Sequence, residues 1–335
     1  MKSLKARRKF SMKLDVNAAI AVADKQRAPY LTSNQYAKSS ELKSSSSLAI
    51  DGVSYPASTE PLTSVKMLGQ GAFGVVYRMH HTTSGIDMAV KQATKSVVGE
   101  YEIEILEQSC SDYIVAYYGC ISHEGSIWIC MELMSWSAKG MYMLVEQNRS
   151  RISENILAEF ARSLLGGLSY LLDVLDVFHH DVKPDNILLN CRGEIKLCDF
   201  GICQKRVNAN HTQLGTRKYM SPEQIHPIDA STRNNAKNDV WSLGITLVEL
   251  AIGKFPYVWG DEFDQINTFD TGTSLHVLIR EQASHSIDFI DFIRRATIVE
   301  HRDRADFDDL KKHRFLDRAC GATLSSKFLA DLSSV

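Results

Sequence analysis

The chain has 335 residues, 44% of them hydrophobic, and a net charge of −2. That suffices for about two core-bearing lobes and excludes the global basic field of a nucleic-acid binder. Its seven cysteines are scattered and odd in number; without paired spacing they exclude a zinc site or a disulfide framework and fit reduced thiols.

The N-terminus lacks the apolar core of a signal peptide. The most apolar stretch, Trp241 to Ile252, contains Glu249 and is too short to span a bilayer. No membrane insertion and no nucleic-acid partner are expected. A cytoplasmic location follows, with the nucleus open as a second compartment.

Residues 1–58 are rich in Ser, Ala and Lys and include the run Ser44-Ser45-Ser46-Ser47. Without a sustained amphipathic period, such a segment predicts a disordered tail. Short apolar runs then predict strands at Val75–Met79, Met88–Lys91 and Ile127–Met131. Beyond Ser150 the period becomes helical. Ile156, Leu157, Phe160, Leu164, Leu165, Leu168 and Leu171 mark one helix face, with Ser153 as N-cap and Glu154 in the first turn. An apolar helix follows Asp239 and stops near Gly253, with Pro256 beyond. Strands first and helices afterwards predict an α+β fold with a small β-rich lobe and a larger helical one.

Gly69-Gln70-Gly71-Ala72-Phe73-Gly74-Val75-Val76 permits a tight strand–turn–strand whose amides can approach phosphate oxygens. A plain hairpin is the rival reading. A Rossmann reading needs a helix where Val75-Val76-Tyr77 continues as strand. Lys91 closes the apolar run Ala89-Val90-Lys91, within reach of the same phosphates. Further on stand Val177-Phe178-His179-His180-Asp181-Val182-Lys183-Pro184-Asp185-Asn186-Ile187-Leu188-Leu189 and Cys198-Asp199-Phe200-Gly201. Gly215-Thr216, Tyr219-Met220-Ser221-Pro222-Glu223 and Asp239-Val240-Trp241-Ser242-Leu243-Gly244 complete the set.

In order and spacing these motifs resemble the signature of the protein kinases. The resemblance implies the bilobal protein-kinase fold over residues 62–316, with an N-lobe of 62–134, a C-lobe of 135–316 and a C-terminal tail of 317–335. It implies ATP and Mg²⁺ as cofactors. Asp181 accepts or orients the substrate hydroxyl proton, with Lys183 beside it as in serine/threonine-type loops. Asn186 and Asp199 are hard oxygen ligands for the metal. Lys91 holds the α/β-phosphates and pairs with an acidic helix residue. Glu102 is chosen, one turn before Leu106, with Glu100 and Glu104 as rivals. Leu68 and the glycine-rich residues line the ATP site, and Val76, Ala89 and Leu188 sandwich the adenine. Met131 precedes the hinge Glu132-Leu133-Met134.

Trp128-Ile129-Cys130-Met131-Glu132-Leu133-Met134, Ile114-Val115-Ala116-Tyr117-Tyr118-Gly119, Lys254-Phe255-Pro256-Tyr257 and Lys311-Lys312-His313-Arg314-Phe315 are similar to the dual-specificity MAP kinase kinases. The hinge is most similar to the stress-pathway members. This implies phosphorylation of Thr and Tyr in the activation loop of a MAP kinase, under an upstream MAP kinase kinase kinase. In the tail, Arg7, Arg8 and Lys9 precede the spaced apolar pair Met12 and Leu14, resembling a MAP kinase docking motif. A merely soluble basic N-terminus and a nuclear localisation signal are the other readings.

Three departures stand against the pattern. Only 11 positions separate Lys91 from Glu102, fewer than the family usually has. His180 replaces the Arg before the catalytic Asp. Asn208 and Ala209 occupy the place of the first phosphoacceptor, leaving Thr212 as the candidate phosphorylation site. These departures keep a catalytically weak pseudokinase scaffold as the alternative.

Overall fold

The computed structural model describes residues 45–71, 73–95, 98, 101–148, 150–206, 215–226, 235–256, 285–319 and 328. The docking candidates Arg7, Arg8, Lys9, Met12 and Leu14 lie outside the described residues, as do Ala72, Glu100 and Thr212.

The first element among the described residues is a hairpin of β1 (Ser47–Ile50) and β2 (Val53–Pro56). The reading of residues 1–58 as a disordered tail is therefore corrected over its last part. Asp51 and Gly52 have φ of 48° and 78°, the pair of positive angles that a two-residue type I′ hairpin requires. Leu48 and Ile50, alternating along β1, are fully buried.

Next come β3 (Leu62–Gly71), β4 (Gly74–His81) and β5 (Ile86–Thr94), the short helix α1 (Glu102–Gln108), and β6 (Tyr117–His123) and β7 (Ser126–Glu132). The five strands form one antiparallel sheet in the order β3-β4-β5-β7-β6. The predicted apolar runs lie within β4, β5 and β7. One face of this sheet, with Val75, Tyr77, Met79, Val90, Ile121 and Cys130, packs under the hairpin as a separate small core. Gly119 makes this fit possible: a Cβ there would stand 2.8 Å from Leu48 Cδ2.

After the hinge come β8 (Trp136–Ser137), α2 (Ala138–Gln147), α3 (Glu154–Leu175) and β9 (Val177–Phe178). Strands β10 (Ile187–Leu189), β11 (Ile195–Leu197) and β12 (Gln204–Lys205) follow. Helices α4 (Pro222–Ile225), α5 (Ala236–Ile252), α6 (Ile287–Ala296) and α7 (Phe307–Lys311) come next among the described residues. The second, larger core centres on α3 and α5 and extends to Ile103 and Leu106 of α1. The fold is α+β, β-rich first and helical afterwards, as expected.

Local chemistry differs from expectation at two helix starts. Ser153 takes the N-cap position of α3 without a side-chain cap bond. Glu154 instead accepts from the backbone N–H and hydroxyl of Ser286, tying α3 to α6. Helix α5 begins three residues before Asp239, where Asn235 accepts from the Lys237 N–H, and it closes at Gly253 with φ 75°. Beneath α5, the fully buried Arg304 pairs with Glu223 of α4. Among the described residues no helix is long and apolar enough to cross a membrane.

Candidate active site

Lys91 lies on the sheet face turned away from the hairpin core. Residues paired across antiparallel strands share a face, and the registers Val76↔Lys91 and Ala89↔Met131 put these four together. Val76, Ala89 and Leu188 are half-buried. Leu68 and Gly69 to Gly71 are exposed at the end of β3, while Gly74 is buried at the start of β4. Phe73, at the tip of this turn, has its ring centroid 5.6 Å from Lys91 Nζ. Glu132 is held by Lys196 at 2.6 Å and by the Ala116 N–H at 2.7 Å, which fixes the hinge. Met134 is buried in the large core.

The short interval between Lys91 and Glu102 does not prevent their meeting. Lys91 Nζ donates to Glu102 Oε1 at 2.5 Å and to Asp199 Oδ1 at 2.9 Å. Burial works against the Lys91 charge, but the two carboxylates outweigh it and hold the pKa above the usual lysine value. Burial likewise pushes Asp199 up, and Lys91 more than offsets it, keeping the carboxyl ionised. Of the rival acids, Glu104 turns to Lys205 instead.

The Asp181 carboxylate accepts four hydrogen bonds. Lys183 Nζ and Asn186 Nδ2 donate to Oδ2 at 2.6 and 2.9 Å. The Thr216 N–H and hydroxyl donate to Oδ1 at 3.0 and 2.7 Å. Lys183 also donates to the Thr216 hydroxyl at 2.7 Å. A carboxylate so held has one orientation and stays ready to accept a proton from a neighbouring hydroxyl.

The loop that presents Asp181 is suspended from α5. Asp239, buried, accepts from the backbone N–H groups of His179 and His180, each at 2.8 Å. His180 has φ 65° and Asp199 has φ 64°, left-handed angles that are rare outside glycine and gather at functional sites. The His179 ring accepts from the Asp181 N–H at Nδ1 and faces the Cys198 carbonyl with Nε2, 3.3 Å away. A neutral ring protonated on Nε2 satisfies both contacts. The buried His180 ring lies 5.8 Å from the Phe178 ring.

The structure thus brings together Lys91, Glu102, Asp199, Asp181, Lys183 and Asn186. Asn186 spends its amide N–H groups on Asp181, which leaves the amide oxygen for a ligand. With the Asp199 carboxylate beside Lys91, it offers the hard oxygen donors that suit a divalent cation. Sequence reading gave no role to Thr216 or Asp239. Both stood inside quoted motifs, but their partners lie 35 and 59 or more positions away.

A sequence model of the protein kinase domain matches residues 62–316. The chain is similar to the dual specificity mitogen-activated protein kinase kinase sek-1 of Caenorhabditis elegans, at 33% identity over 270 residues. That alignment covers 77% of this chain and 79% of sek-1. MAP kinase kinase mkk-4 of the same organism is 37% identical over 275 residues, 78% of this chain and 75% of its own. The dual specificity mitogen-activated protein kinase kinase hemipterous of Drosophila melanogaster is 35% identical over 280 residues, 80% of this chain and 23% of its own.

Proposed function

The chain belongs to the protein kinase family and within it to the dual-specificity MAP kinase kinases, and on that footing we propose the reaction and the residues that carry it. The γ-phosphoryl group of Mg-ATP passes to a Thr and a Tyr in the activation loop of a MAP kinase. An upstream MAP kinase kinase kinase acts on this chain in turn. The observation that carries the reading is the joint assembly of Lys91, Glu102 and Asp199 on one side and Asp181 with Lys183, Asn186 and Thr216 on the other.

Phosphoryl transfer depends mainly on positioning and on charge placed where it develops. Lys91, kept cationic by its two carboxylates, binds the α/β-phosphates. Asn186 and Asp199 are the residues that would hold Mg²⁺, which would supply positive charge to offset that of the phosphates. Asp181 accepts the hydroxyl proton, while Lys183 sits where it can balance charge on the transferring group. Nothing favours the pseudokinase scaffold, since each of these groups is present and assembled.

The test is incubation of purified protein with Mg-ATP and a panel of inactive MAP kinases, reading Thr and Tyr phosphorylation separately. Asp181→Asn should keep ATP binding and lose transfer by at least about 10²-fold. Asp199→Asn should weaken Mg-ATP binding as well. Near-normal turnover in Asp181→Asn would show that the base is misassigned.

A further inference from the structure

Helix α1, which carries Glu102, has seven residues, and its N-cap residue Tyr101 makes no side-chain cap bond to it. A helix this short is not stable on its own. Glu102 stands in the first turn, where fraying would draw its carboxylate off Lys91.

Lys205 reaches this end of the helix at two points. Its Nζ lies 2.7 Å from Glu104 Oε1 and 5.0 Å from the centroid of the Tyr101 ring. One cation therefore grips residues on either side of Glu102. Lys205 belongs to β12, the first strand after Asp199-Phe200-Gly201. Strand β12 pairs with β9, which leads directly into His179, His180 and Asp181. The adjoining Arg206 fixes the same strand through Asp176, with Nη2 2.6 Å from Oδ1 and the backbone N–H 3.0 Å from the carbonyl.

We propose that Lys205 is a positioning residue of the kinase reaction: it clamps the start of α1 onto the strand that follows Asp199 and so keeps Glu102 on Lys91. The proposal rests on the reading of Lys91 and Asp199 as the groups that meet the ATP phosphates and the metal. The ion pair is partly exposed, so it is weaker than a buried one. The aromatic face beneath the cation adds to it. The clamp uses only unmodified side chains, so it orders α1 without any phosphate on the chain.

The experiment measures ATP KM, kcat and thermal midpoint for the full chain. The variants are Lys205→Met, Lys205→Glu, Glu104→Lys and the double variant that exchanges the two charges. Lys205→Glu should raise ATP KM about fivefold or more, as attraction becomes repulsion at a pair and an aromatic contact of this kind. Lys205→Met should give a smaller rise. The exchanged double variant should return to within about threefold of wild type, since only the aromatic contact is then lost. A lysine that merely supported the fold would lower the thermal midpoint without raising ATP KM. An unchanged ATP KM in Lys205→Glu overturns the clamp, as does a double variant no better than the two single changes combined. Lys91→Met separates the two levels. If it abolishes ATP use while the Lys205 variants behave as wild type, the clamp alone falls. If Lys91→Met also behaves as wild type, the reading of the ATP site falls with it.

Discussion

Replacing Arg304 by Met removes a fully buried and heavily engaged charge of the larger lobe. Its Nη atoms lie 2.6 and 3.0 Å from the two oxygens of Glu223, a bidentate pair sealed from solvent. The same guanidinium donates to the carbonyls of Ile298, Lys237 and Val299 and stacks 4.9 Å from the Trp241 ring. Methionine is flexible enough to fill much of the space but supplies no donor. Glu223 is then a buried carboxylate without counter-charge, which costs about 3–5 kcal/mol. At about 2–4 °C per kcal/mol for a domain of this size, the melting midpoint falls by about 6–20 °C. The double variant Arg304→Met/Glu223→Met should recover most of that loss, because the penalty belongs to the orphaned charge and not to the absence of the pair. Melts of wild type, both single variants and the double, followed by circular dichroism, check this. A midpoint for Arg304→Met within about 2 °C of wild type, or a double no more stable than the worse single, refutes the reasoning.

Leu48→Ala, in the fully buried row of the hairpin, should cost about 2–5 kcal/mol, read as a shift of the denaturant midpoint; a silent substitution would mean that the hairpin does not close the small core. Cys198 adjoins Asp199, and burial together with that carboxylate raises its thiol above the usual range. At pH 7–8 iodoacetamide should therefore modify the exposed Cys110 and Cys191 before Cys198, as peptide mass mapping would report. Replacing Arg7, Arg8 and Lys9 with Ala should raise the KM for a MAP kinase and lessen its salt dependence, while leaving a short generic peptide substrate unaffected. Thr212→Ala should retain activity, because an imidazole at His180 offers an activation-segment phosphate neither the permanent charge nor the bidentate fork of an arginine. Loss of activity in Thr212→Ala, with a gain of several hundredfold on phosphorylating the wild type, would show an ordinary switch.

Much of the site was legible because its residues fall in contiguous motifs. Asp181, Lys183 and Asn186 stand within six positions, and Asp199 closes another short run. Lys91 was legible from the apolar strand before it. Choosing among the acids of α1 was harder: Glu102 and Glu104 are two positions apart, and periodicity alone does not say which faces the lysine. The structure separates them by burying Glu102 and leaving Glu104 to Lys205. The hairpin went unread because the serine run and the surrounding polar residues dominate the composition, although Asp51-Gly52 between Ile50 and Val53 is a turn signal. Ser153 shows the limit of local rules, since Glu154 serves a partner 132 positions away that no cap pattern reveals.

The hairpin also has a consequence for biosynthesis. Ser45 hydrogen-bonds to Cys120, 75 positions later, and the face that Leu48 and Ile50 cover is completed by Ile121 and Cys130. At about 5–20 residues per second, the ribosome takes about 4–15 s to add that stretch. Throughout that time the hairpin has no finished surface to lie on, and the apolar row of β4 emerges before Ile121 and Cys130, which complete its face. Contacts so distant in sequence also close slowly. The small core is therefore a joint sealed late, and substitutions there change how much kinase reaches its folded form before they change any rate the finished enzyme displays.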